Sequence, residues 1–79
     1  MGKSIHTERQ KRLVELLRTT REKAGLTQIQ LARRLGKYKT YVSKYETGER
    51  QLDVVEFMAV AEALGLEPGK VLAKVKGVG

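Results

Sequence analysis

Apolar residues along the chain recur mostly at intervals of three and four positions, and no stretch shows the sustained alternation typical of a β-strand. Glycines and the single proline interrupt this pattern and divide it into five segments of helical character. The spacing predicts five helices, at residues 8–23, 28–35, 39–47, 54–64 and 68–75. The predicted fold class is therefore all-α, with the helices packed in a compact bundle.

Hydrogen-bonding residues stand where several of these helices are expected to begin. Thr27 and Gln30 are three positions apart, as are Asp53 and Glu56, and each pair can form a reciprocal capping box. Pro68 suits a first helical turn because its φ angle is already fixed near the helical value. The second and third helices are short and only three residues separate them, which is the helix-turn-helix arrangement.

Length and composition fit one small domain. The 79 residues are 41% hydrophobic and 32% charged, which is too apolar a composition for a disordered chain. No apolar run approaches the roughly 18–20 residues that span a bilayer, and the N-terminus lacks the apolar stretch of a signal peptide. We therefore expect a cytoplasmic protein with a flexible arm at residues 1–7, a helical domain at residues 8–76 and a frayed end at residues 77–79.

Positive charge is concentrated in the first two-thirds of the chain. Residues 1–50 contain 13 basic and 5 acidic side chains, whereas residues 51–79 contain 3 basic and 4 acidic ones. The first part therefore carries a net charge of +8 and the second part −1. Such asymmetry indicates that one part of the domain binds a polyanion.

One face of the third predicted helix lacks carboxylates. At about 100° per residue, Tyr41, Val42 and Tyr45 form one apolar sector. The opposite side presents ammonium and hydroxyl groups, from Lys39, Thr40, Ser43, Lys44 and Thr47. Such donors suit a helix in the major groove of DNA, where phosphates repel carboxylates. A solvated helix that lacks acids by chance would give the same pattern, so the angles alone leave both interpretations open.

Several motifs follow one another between residues 17 and 72. GLTQ opens the second helix and LARRLG closes it, VSKYETGER spans the third helix, and AEALG lies in the fourth. Together these motifs resemble the phage-repressor and Cro type of helix-turn-helix domain, the XRE type. The resemblance implies a repressor-like bundle of five helices. It also implies a transcriptional regulator that binds double-stranded DNA as a homodimer.

The resemblance also implies roles for individual residues. Three residues match base-reading positions and Ser43 lies among them, which gives a base-contacting set of Lys39, Thr40, Ser43 and Lys44. Two residues match phosphate-binding positions and the Tyr38 hydroxyl can add a third contact, which gives Gln28, Tyr38 and Arg50. Arg21 and Glu46 match a buried ion pair that joins the first helix to the third. Tyr38 stands where the family often has a capping Ser or Thr, which leaves the start of the third helix open by a residue or two.

The fourth helix has more apolar surface than one core requires. A stripe of four residues is enough to fill the core side, namely Val54, Phe57, Ala61 and Leu64. Four further apolar residues lie beyond it, namely Val55, Met58, Ala59 and Val60. We expect these residues to form a homodimer interface, unless the first and fifth helices cover them.

Nothing in the sequence indicates an enzyme, a metal site or a cofactor. Cysteine is absent, His6 is the only histidine, and the acidic residues are scattered along the helices. We expect His6 and the arm around it to be solvated, although a basic arm could also wrap DNA. Solvent exposure is likewise the simple expectation for Arg33 and Arg34, with phosphate proximity as the alternative. The main alternative function is a helix-turn-helix module that binds an acidic protein or RNA.

Overall fold

The computed structural model describes residues 7–77, and that part of the chain folds into five α-helices. The helices are α1 Glu8–Lys23, α2 Gln28–Leu35, α3 Lys39–Thr47, α4 Val54–Ala63 and α5 Pro68–Lys76. The predicted all-α bundle is therefore confirmed, and the predicted ends differ from the observed ones by one residue at most. The expected arm at residues 1–7 and the expected frayed end at residues 77–79 lie almost entirely outside the described residues.

Local hydrogen bonds explain where the helices begin. Both predicted capping boxes are present: Thr27 and Gln30 exchange bonds at the start of α2, and Asp53 and Glu56 do so at the start of α4. Tyr38 is the N-cap of α3 but makes no capping hydrogen bond with its side chain. The start of α3, which the sequence left open, is therefore Lys39.

Two glycines determine the geometry of the helix-turn-helix. Gly36 ends α2 with a φ angle of 70°, and Gly48 ends α3 with a φ angle of 87°. Both values lie in the left-handed region, which costs a residue with a Cβ atom about 1 kcal/mol or more. The turn from Gly36 to Tyr38 therefore changes the direction of the chain within three residues, and α3 packs directly beside α2.

The core lies where all five helices meet. Helix α2 packs on α3 and α4, α1 packs on α3 and α5, and α4 packs on α5. Ten hydrophobic residues are buried there: Leu17, Leu31, Ala32, Val42, Tyr45, Phe57, Val60, Ala61, Val71 and Val75. Burial of each large apolar side chain contributes about 1.5–3 kcal/mol. Helix α3 therefore has its inner side fixed by the core while its outer side remains available.

Two sequence assignments on α4 are wrong. Val60, assigned to the dimer interface, is 0% exposed and belongs to the core, whereas Val54, assigned to the core, is 71% exposed. The stripe that faces the core contains the buried Phe57, Val60 and Ala61 and the partly buried Leu64, which is the i, i+3, i+4, i+7 spacing of one helix face. Val54 lies at the edge of that sector in the first turn of α4, so its side chain points away from the packed neighbours.

Two arginine side chains donate hydrogen bonds to backbone carbonyls at the C-terminal ends of helices. Arg34 Nη1 donates to the Ala63 carbonyl over 3.2 Å, and Arg9 Nη2 donates to the Lys76 carbonyl over 3.4 Å. A cation at this end of a helix is favourable because the last carbonyls carry partial negative charge. Arg34, expected to be simply solvated, is exposed but also joins α2 to the end of α4. Across residues 7–77, every helix is too short or too polar to cross a membrane.

Candidate nucleic-acid interface

The outward face of α3 carries the side chains that the sequence assigned to base contacts. Lys39, Thr40 and Lys44 are exposed, and Ser43 is partly exposed. The Ser43 hydroxyl donates to the Thr40 carbonyl over 3.3 Å. This bond uses the hydroxyl proton and leaves the oxygen able to accept a hydrogen bond from a ligand. The face therefore combines two ammonium donors with hydroxyl groups.

The outer face of α3 is positively charged, because no carboxylate of the helix lies on it. Within residues 7–77, neither Lys39 nor Lys44 forms an ion pair. The only carboxylate on α3 belongs to Glu46, which is 8% exposed and turned inward. Both ammonium charges are therefore uncompensated, and the face suits an anionic partner.

Glu46 is held by donors from two other helices. Arg21 on α1 donates from Nε to Oε2 over 2.8 Å and from Nη2 to Oε1 over 3.1 Å. Gln28, in the first turn of α2, donates from Nε2 to Oε1 over 2.9 Å. The hydrogen bond that Arg21 donates to Glu46 raises the pKa of the Arg21 guanidinium above its ordinary value, so this side chain stays charged. Arg21 and Glu46 thus form a buried ion pair that fixes α3 against α1.

The contact between Gln28 and Glu46 was not anticipated from the sequence, which assigned Gln28 to phosphate alone. One N–H of its amide is used by the carboxylate, which leaves the second N–H and the carbonyl oxygen. Gln28 is partly buried and lies at the N-terminal end of α2, where backbone N–H groups favour an anion. The bond to Glu46 therefore orients the amide at the helix end.

The other two residues assigned to phosphate differ in their surroundings. Tyr38 is 86% exposed beside the start of α3. Arg50, in the loop between α3 and α4, is partly buried, and its Nη2 pairs with Glu56 Oε2. Its Cζ lies 5.0 Å from the centroid of the Tyr41 ring. Tyr38 is thus available to a ligand, whereas Arg50 already has an anionic partner within the chain.

Tyr41 connects the two segments that flank α3. Lys37 Nζ, from the turn before α3, lies 5.2 Å from the ring centroid that Arg50 also approaches. The ring also makes an edge contact with Tyr45, with centroids 6.1 Å apart. Burial, and next the negative charge of Glu56, raise the pKa of the Tyr41 hydroxyl, so it remains protonated and neutral. Two cations therefore lie over one neutral ring at the rim of the α3 face.

A second surface lies on α4. Val55 is 74% exposed and Met58 is 43% exposed, and Ala59 is exposed as well. Val54 joins them, and these four residues are named here the α4 apolar face. Helices α1 and α5 do not cover it, so the alternative of internal burial is wrong for Val55, Met58 and Ala59.

A short helix, a three-residue turn and a second short helix with a cationic outer face define a helix-turn-helix domain. A helix-turn-helix family model matches residues 17–71. Among solved structures, the chain is similar to an XRE-family like protein from Pseudomonas syringae pv. tomato str. DC3000, with 43% identity and a TM-score of 0.86. The match covers 94% of this chain and 90% of that one. No curated protein matches the sequence.

The chain belongs to the XRE-type helix-turn-helix family, whose members are DNA-binding transcription regulators. The family predicted from the motifs is thereby confirmed. This is a family of DNA-binding regulators and not of enzymes.

Proposed function

We propose that this protein is a sequence-specific regulator of transcription that binds double-stranded DNA as a homodimer on a two-fold operator. The main support for the proposal is the charge on the outer face of α3. Its lysines are exposed and uncompensated, and its single acid is buried in an ion pair. A surface helix without a binding partner gains stability from exposed pairs of opposite charge, and α3 has none within the described chain.

Base recognition is assigned to the N-terminal half of α3, which enters the major groove. Lysine can donate to O6 and N7 of guanine, and serine and threonine can contact any base edge. The assigned residues are Lys39, Thr40, Ser43 and Lys44. Their side chains share one face of less than two helical turns, which matches the reach of a recognition helix into a few successive base pairs.

Phosphate contacts are assigned to groups on both sides of this face. Gln28 offers its remaining amide donor together with the N-terminal end of α2, where an anion is favoured. Tyr38 offers an exposed hydroxyl beside the start of α3. Arg50 completes the set from the loop after α3. Such contacts set affinity and register without reading sequence, and they make binding strongly salt-dependent.

Dimerisation is assigned to the α4 apolar face. An exposed apolar surface of this kind is common at interfaces between copies, and a two-fold dimer places the same patch on both subunits. Two recognition helices related in this way read half-sites about 10–10.5 base pairs apart, centre to centre. Val55, Met58 and Ala59 remain in the proposed interface, whereas Val60 is excluded by its burial.

The test is selection of bound duplexes from a random pool, followed by titration of variants on the selected duplex and on a scrambled one. Lys44→Ala is expected to weaken binding to the selected duplex by about 5- to 150-fold, the equivalent of one lost base contact. The scrambled duplex is expected to lose much less. Lys70→Ala, at an exposed position on α5, is the matched control and should change neither titration by more than a small electrostatic amount.

Equal losses on both duplexes for Lys44→Ala would remove the base-reading role of α3. A pool that yields no preferred sequence would remove sequence specificity. Retention of structured RNA, with no retention of duplex DNA at low salt, would instead favour the module that binds RNA.

A further inference from the structure

Arg50 is the only basic residue in the loop between α3 and α4, and the fold holds it in three ways. Its backbone N–H donates to the Lys44 carbonyl over 3.1 Å, its guanidinium lies over Tyr41, and its Nη2 pairs with Glu56. Its Nε is buried and has no hydrogen-bond partner among the described residues. Nη1 and the second N–H of Nη2 are left for another ligand, on a side chain that is 40% exposed.

The carboxylate that holds Arg50 is itself fixed. Glu56 Oε1 accepts a hydrogen bond from the Asp53 backbone over 3.0 Å, and the Glu56 backbone donates to Asp53 Oδ1 over 2.7 Å. These bonds form the capping box at the start of α4. Glu56 therefore cannot turn away from Arg50 unless the helix also loses part of its cap.

We propose that Glu56 sets the strength with which the protein binds a phosphate backbone, because it neutralises Arg50 in the free state. This inference rests on the proposed function, and it makes Glu56 a positioning residue rather than a contact residue. A phosphate that approaches Arg50 must share the guanidinium with Glu56 or displace it. Arg50 therefore contributes less than one full charge to binding. Glu56 limits affinity for all sequences alike, while the outer face of α3 determines which sequence is preferred.

The chain itself supplies a substitution that removes the charge and keeps the cap. The capping box of α2 uses glutamine at the equivalent position, where Gln30 Oε1 accepts from the Thr27 backbone over 2.8 Å. Glu56→Gln can therefore retain the bond to Asp53 while it loses the negative charge next to Arg50. Glu62→Gln is the matched control, since it removes the same charge from an exposed position of the same helix.

The experiment measures duplex affinity for the full chain across a series of salt concentrations. Glu56→Gln is expected to bind selected and scrambled duplexes about 10-fold more tightly at about 0.05 M salt, as one more effective positive charge implies. The slope of log K against log salt should steepen by about 0.9. Glu62→Gln should change both quantities much less. In an Arg50→Gln background, Glu56→Gln should give no gain.

Two results would overturn the assignment: a gain for Glu56→Gln no larger than that for Glu62→Gln, or a gain that persists without Arg50. Far-UV circular dichroism checks that each variant is folded. If Arg50→Gln unfolds, the comparison of the two glutamate variants decides by itself.

Elution from immobilised heparin distinguishes failure of this inference from failure of the proposed function. A wild-type chain that fails to bind duplex DNA would end the proposed function. If Glu56→Gln then still elutes from immobilised heparin at higher salt than Glu62→Gln, the role of Glu56 in polyanion binding stands. If the two variants elute together, that role is refuted as well.

Discussion

Replacing Arg21 with methionine would leave the Glu46 carboxylate buried with one hydrogen bond instead of three. Only the 2.9 Å bond from Gln28 would remain, because both bonds from Arg21, of 2.8 and 3.1 Å, would be lost. Glu46 is 8% exposed, so solvent can replace the lost donors only to a small extent. Breaking a buried pair in this way costs about 3–5 kcal/mol. The lost bond from Arg21 Nη1 to the Leu26 carbonyl, 2.8 Å long, adds about 1 kcal/mol.

The assay is urea and thermal unfolding followed by far-UV circular dichroism, with Arg12→Met as the matched control. Arg12 pairs with Glu15 over 3.3 Å, but the two side chains are 40% and 57% exposed. Loss of an exposed pair costs about 0–1 kcal/mol. In a domain of this size, a loss of about 3 kcal/mol lowers the midpoint of thermal unfolding by roughly 12 °C or more.

A double variant tests the cause of the loss. Arg21→Met combined with Glu46→Leu removes both charges, and we expect it to recover a large part of the stability lost by Arg21→Met alone. The reasoning is refuted if Arg21→Met and Arg12→Met destabilise the protein equally. It is also refuted if removal of Glu46 in the Arg21→Met background brings a further loss instead of a recovery.

Two further predictions concern the core and the second surface. The Tyr45 hydroxyl is buried and has no hydrogen-bond partner among the described residues. Tyr45→Phe is therefore expected to raise the free energy of unfolding by up to about 1 kcal/mol, and a clear loss in urea titrations would show that the hydroxyl is bonded. Met58→Asp, on the α4 apolar face, is expected to abolish dimers in sedimentation equilibrium. Ile29→Asp, at a 46% exposed position on α2, should leave them intact, and dimers that survive Met58→Asp would rule out this face.

The sequence was sufficient for features that depend on local signals. The two capping boxes predicted from Thr27 and Asp53 are present, and the αL glycine that ends α2 lies where it was expected. Each of these signals involves residues no more than four positions apart, so no knowledge of packing was needed. The apolar sector predicted on α3 also identified the buried Val42 and Tyr45.

Features that depend on packing between helices were harder to predict. On α4 the apolar residues cover more than one face, and the sequence could not show which of them the neighbouring helices would bury. That choice is made by the packing of α2 and α5 on α4. For this reason the sequence analysis assigned Val54 to the core and Val60 to the interface, whereas Val60 is buried and Val54 is exposed.

Two contacts across loops were missed, although the resemblance had implied the longer-range pair of Arg21 and Glu46. Arg50 pairs with Glu56 across a six-residue separation, and Gln28 bonds to Glu46 across eighteen residues. In both cases the sequence analysis had assigned each residue a different role. Glu56 had been assigned only to a helix cap, and Glu46 only to the pair with Arg21. Such contacts depend on how the loops direct the chain, which periodicity does not reveal.

The two sides of α3 differ in their contacts with the rest of the protein. Its inner side contributes Val42, Tyr45 and Glu46 to the core and to the ion pair, whereas Lys39 and Lys44 on the outer side make no ion pair within the described chain. Exchange of the outer side chains should therefore alter the free energy of unfolding very little. Under the proposed function, a few surface substitutions on α3 would therefore give the protein a new target sequence without any compensating change in its interior.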